Sequence, residues 1–124
     1  MYTAIFDGLR IYYARYQSRR AAAGFHAAMS MSFLFCCSLI AGTIIADYLV
    51  NGSVESIPVI HSNKFALLLV GGAVAYAHVI FAKSTGRYND IGSVAPAHWK
   101  AYLSAYCCLA AGLLAIALWL AAVK

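Results

Sequence analysis

Charge is what this 124-residue sequence has least of. Lysine, arginine, aspartate and glutamate make up 10% of it, and only four residues are acidic. Soluble domains carry roughly a quarter of their residues charged, so an ordinary water-facing surface is excluded. The four acidic residues are Asp7, Asp47, Glu55 and Asp90, and no two of them fall within one or two helical positions of each other. No neighbouring carboxylates are therefore offered for paired acid–base work or for a metal.

Cysteine is missing from the spacings that give it chemistry. The four cysteines form two adjacent pairs, Cys36-Cys37 and Cys107-Cys108. Neighbours on a helix point about 100° apart and cannot converge on one ion or easily bond to each other. There is no CxxC and no CxxCH, so neither a redox motif nor covalent haem attachment is encoded. These cysteines are expected as small, polarisable packing residues. A nucleophile motif and an internal repeat are also lacking, and three spans exclude an even inverted duplication of the transporter type.

What is present is apolar length. Three uncharged runs, 21–46, 65–82 and 101–123, hold 26, 18 and 23 residues, 67 of the 124. At 1.5 Å rise per residue the first would reach about 39 Å, against roughly 30 Å of bilayer hydrocarbon. The expectation is an all-α integral membrane protein with three transmembrane helices, at about 22–48, 65–83 and 101–123. An amphipathic interfacial helix within residues 1–20 precedes them. In that segment Tyr2, Ile5, Phe6, Leu9, Tyr12, Tyr13 and Tyr16 recur at helical spacing, although Gly8 weakens the helix. The first apolar run, with the basic residues before it, is longer than a cleavable signal, so it reads as a membrane anchor.

Seven of the nine basic residues, Arg10, Arg15, Arg19, Arg20, Lys83, Arg87 and Lys100, fall on one side of a three-pass chain. The net charge of +5 is thus a topology signal and not a nucleic-acid footprint. The positive-inside rule puts the N-terminus and the 84–100 loop in the cytoplasm and the C-terminus outside. Arg10, Arg15, Arg19, Arg20, Arg87 and the interfacial Trp99 are the expected cytoplasmic contacts to lipid or a partner. High alanine and glycine, with no organelle-targeting features, point to a bacterial inner membrane.

Small residues line each span at helical spacing. Gly24, Ala28, Ser38, Gly42 and Ala46 share about 100° of the first; Gly71 and Ala75 sit on a stripe of the second, Gly112 and Ala115 on one of the third. Such ladders let helices approach closely in lipid, so they are the expected packing interface, in a tight three-helix bundle or one completed by another subunit. Asn51-Gly52 signals a turn, and Ile57–Ile60 is a short apolar stretch in the outer loop.

Three chemistries compete for the polar residues. His26 and His78 lie roughly 8 Å inside the cytoplasmic boundary by helix rise and could together ligate a haem b, making an electron-transfer subunit. The simpler role for each imidazole is a hydrogen bond across helices. Asp90, His98 and Arg87 hold residue types for an interfacial enzyme on lipid headgroups, yet Asn89-Asp90 also reads as turn chemistry. The reading that carries most weight is non-catalytic: a small accessory or assembly subunit, or an immunity-like inhibitor, acting by helix–helix association. Its partners would be the bilayer and another membrane protein or its own copies, with no metal and no obligatory cofactor.

Overall fold

The computed structural model describes residues 1–16, 22–88 and 95–123, and among these every element is a helix. In chain order they are α1 (Tyr2–Tyr16), α2 (Ala23–Asn51), α3 (Ser56–Ser62), α4 (Lys64–Ser84) and α5 (Trp99–Ala122). Three of them, α2, α4 and α5, are long and apolar enough to cross a membrane, with mean hydropathy of 2.0, 2.1 and 2.1. The uncharged runs thus become helices, and the short apolar stretch of the loop becomes the seven-residue α3.

The ends follow local chemistry. Gly52 closes α2 in the left-handed region (φ 68°), its N–H donating to the Tyr48 carbonyl, a conformation that costs glycine nothing. Asp47 holds the turn beyond it by accepting from Asn51 Nδ2 and the Glu55 N–H, both at 2.7 Å. At the other end of the bundle, α4 stops where Ser84 and Thr85 hydroxyls donate to the Phe81 carbonyl, each at 2.9 Å. The chain then folds back, and the N–H groups of Arg87 and Tyr88 both reach the Ala82 carbonyl.

α2 is the centre of the molecule. It packs on α1, α3, α4 and α5, whereas among the described residues no Cα of α4 comes within 8 Å of one in α5. Packing between α2 and α5 uses Ala41 and Ile44 against Ala117, with Leu113 alongside. The opening between α4 and α5 is filled at one end by α1. Its Ile5, Phe6 and Leu9 form one core with Ala27, Ala28 and Met31 of α2 and Ala82 of α4. Phe6 and Ile5 are the largest fully buried side chains described, each 1% exposed. The N-terminal helix is therefore present where the sequence places it, but its apolar side meets protein. The physical reason is area: a bulky apolar face finds more close contact against three helices than against headgroups.

Candidate functional site

The end of the bundle that carries Lys83, Arg87 and Lys100 is where the chain's polar chemistry gathers, and two glycines decide its geometry. Gly8 of α1 lies flat against the Trp99 indole, so that a Cβ there would overlap the ring. Gly24 of α2 lies against the carbonyl oxygen of Tyr88, which a Cβ would likewise overlap. Glycine at position 8 looks like a helix-weakening residue in the sequence; here it is what lets α1 approach α5. Tyr88 is in turn fixed from outside by Lys83, whose Nζ stands 5.1 Å from the ring centre.

Beside Gly8, Asp7 joins three segments. Its carboxylate accepts from Arg87 Nη1, which follows α4, and lies 3.9 Å from Arg10 Nη2 one turn along α1. Asp7 and Arg10 are buried, 8% and 3% exposed, while the Arg87 side chain keeps 40% of its surface. A buried guanidinium is tolerable only beside negative charge or strong acceptors, so Asp7 sets both cations in place. Arg10 is accordingly not at the surface, and the expected lipid or partner contact through it is corrected: the carboxylate three residues earlier draws it inward. Arg87 faces Asp7 and is only partly free. Arg15 is exposed, Trp99 is half-buried on Gly8, and Arg19, Arg20 and Asp90 lie outside the described residues.

Deeper in the bundle sits His78. Its Nδ1 is 2.8 Å from the Val74 carbonyl and 3.2 Å from Ser32 Oγ of α2. The carbonyl can only accept, and the one Ser32 proton goes to the Ala28 carbonyl at 2.7 Å. Nδ1 is therefore the donor, and its one proton bonds Val74 within α4 and is shared with Ser32 Oγ of α2 only as the longer arm of a three-centre contact. The Tyr2 and Phe35 rings flank the imidazole, at 5.6 and 6.0 Å between centres. Burial pushes the Tyr2 hydroxyl up to about 12, so it stays neutral.

His26 belongs to a different group. Its ring packs on Tyr13 at 5.5 Å and Phe25 at 6.1 Å, and Tyr13 hydrogen-bonds Ser30 at 2.7 Å. Tyr2 and Tyr13, the partners of the two histidines, are eleven residues apart on α1, about 16 Å by helix rise. The imidazoles face separate ring clusters, and the cavities described beside His78 do not include His26, where bis-histidine haem ligation needs a common one. Among the described residues no three of His, Cys, Asp and Glu converge as metal ligands. All four cysteines are free, and His98 is an exposed residue with positive φ at the start of α5.

The small-residue stripes divide into covered and bare. On α2, Gly24 and Ala28 are buried beneath Tyr88 and α1 and Ser38 is half-buried, but Gly42 and Ala46 on the same side are exposed. Nothing lies within 4 Å of a Cβ built at Gly42, Gly71 or Gly112. On α4, Gly71 and Ala75 are half-buried. They line, with Met29 and Leu67, a groove of about 560 Å³. On α5 the buried residues are Ala110, Ala117 and Leu120. Gly112 and Ala115 are exposed, roughly on the opposite side by helix angle. A tight bundle sealed by all three stripes is not what the chain forms by itself, because α4 and α5 each pack on α2 and stand apart from each other.

Fold and site together define a three-span helical membrane protein with its N-terminal helix docked into one end of its own bundle. Comparison with known protein families, with characterised proteins and with solved structures finds no match.

Proposed function

We propose that this chain is a non-catalytic accessory or inhibitory subunit that receives a transmembrane helix of a partner membrane protein along α2. One observation carries the reading. The α2 seam that α1 and Tyr88 cover at Ala28 and Gly24 continues bare through Gly42 and Ala46, and among the described residues no Cα of α4 comes within 8 Å of α5 to close over it. Exposed leucines alone would say little, since lipid covers them well. A small-residue stripe is different, because it offers close backbone approach that branched lipid-facing side chains do not. α1 occupies the slot for half its length, and a partner helix fits the other half. In this reading the basic end faces the cytoplasm of a bacterial inner membrane, following the asymmetry of lysine and arginine.

The experiment places leucine separately at Gly42, Gly71 and Gly112 and measures co-purification and oligomer size after gentle extraction. Gly42→Leu is expected to lower partner recovery about tenfold, equivalent to one lost close helix contact. Unchanged recovery and unchanged oligomer size in all three variants would sink the proposal. Recovery of a second copy alone would reassign the slot to self-association.

A further inference from the structure

At the rim of α1 two cations from different helices meet in one cleft of about 180 Å³, formed by Arg15, Lys100, Tyr12, Trp99, Ile11 and Ala95. Arg15 stands in the last turn of α1 and Lys100 in the first turn of α5, and both are exposed. The first turn of α5 carries no acidic residue. Asp7 takes ion pairs from Arg10 and Arg87. Among the described residues neither Arg15 nor Lys100 is in an ion pair, and Lys100 stands 5.9 Å over the Trp99 ring. Trp99 opens the apolar α5 span, so the cleft lies where hydrocarbon gives way to headgroups, the depth tryptophan prefers.

We infer that this cleft binds the phosphate of an anionic phospholipid headgroup, with Arg15 and Lys100 on the phosphate oxygens. Arginine presents two parallel N–H groups to a phosphate and lysine a compact charge. The Tyr12 and Trp99 rings fit the glycerol backbone and the tops of the acyl chains. A free phosphate would satisfy the cations equally, but it would leave the apolar wall of Ile11, Ala95 and Trp99 without a partner. That wall commits the site to lipid.

The site is tested by fluorescence of Trp99 in a Trp119→Phe background, in nanodiscs containing a minor fraction of brominated phosphatidylglycerol or brominated phosphatidylcholine. Two cations near an anionic surface confer about thirtyfold preference, so the anionic lipid is expected to quench Trp99 at about thirtyfold lower mole fraction. Arg15→Gln with Lys100→Gln removes exposed side chains only and is expected to abolish that preference while far-UV circular dichroism is unchanged. Inorganic phosphate at millimolar concentration is expected not to relieve the quenching. Equal quenching by both lipids, or a preference that survives the double substitution, would overturn the site. Relief by inorganic phosphate would overturn its assignment to lipid.

Discussion

Gly8→Ala and Gly24→Ala are expected to destabilise the protein, whereas Gly42→Ala is expected to leave the isolated chain as stable or slightly more so. All three replace glycine inside a helix, where alanine is better by at most about 1 kcal/mol. The surroundings reverse the sign at two of them. At position 8 the new methyl would occupy the volume of the Trp99 indole, and at position 24 that of the Tyr88 carbonyl oxygen. The second is the more severe, because backbone cannot rotate aside. Tyr88 is held by its N–H on the Ala82 carbonyl. Overpacking of this kind costs about 1–3 kcal/mol, which exceeds the propensity gain. At Gly42 nothing lies within reach, so only the gain remains. Unfolding in mixed micelles of rising SDS content, followed by circular dichroism, orders the variants. The Gly8 variant should also shift Trp99 emission. A stable Gly24→Ala would mean that the 84–88 turn does not seat on α2.

The second large effect is expected at Asp7. Asp7→Ala removes the carboxylate that Arg10 and Arg87 share, and leaves Arg10 buried without that charge. Breaking a buried ion pair from one side costs about 3–5 kcal/mol. Arg87→Gln should cost less, about 1–2 kcal/mol, since the arginine is partly exposed although the carboxylate it hydrogen-bonds is buried. The asymmetry is the test, because it follows from where each charge sits. In the same SDS titration Asp7→Ala should unfold well before Arg87→Gln, and protease should reach residues 1–16 in the first variant and not the second. Equal midpoints for the two would contradict a buried Asp7–Arg10 pair.

The spans were legible because an uncharged run of membrane length has one economical solution in lipid, a helix that satisfies its own backbone. The ends moved little: 22–48 became Ala23–Asn51, and 101–123 became Trp99–Ala122. The N-terminal helix was legible from its periodicity. What covers its apolar side was not, because that depends on pairs such as Asp7 and Arg87, eighty residues apart. Gly8 carried the wrong signal for the same reason: a glycine that weakens a helix and a glycine that admits an indole look alike until the indole is placed.

The small-residue stripes were readable as stripes and no further. Gly24 and Gly42 have the same spacing and the same neighbours in kind, yet one is buried and the other bare. The difference comes from α1, whose reach ends about halfway along α2. On α5 the seam through Gly112 points away from α2, because Ala117, with Leu113 beside it, takes the contact. His78 turned inward to Val74, with Ser32 as the longer arm, while His26 found a tyrosine on α1.

If a helix from another protein lies on the bare half of the α2 seam, as proposed, a side chain there meets that protein and not lipid. Site-directed photocrosslinking in native membranes tests it most directly. A benzophenone side chain at Ala46, exposed on the seam, is compared with one at Leu109, exposed on α5. A discrete protein adduct is expected from Ala46, absent from Leu109, that disappears in Gly42→Leu. Adducts with lipid alone at Ala46, or the same protein adduct from both positions, would contradict it.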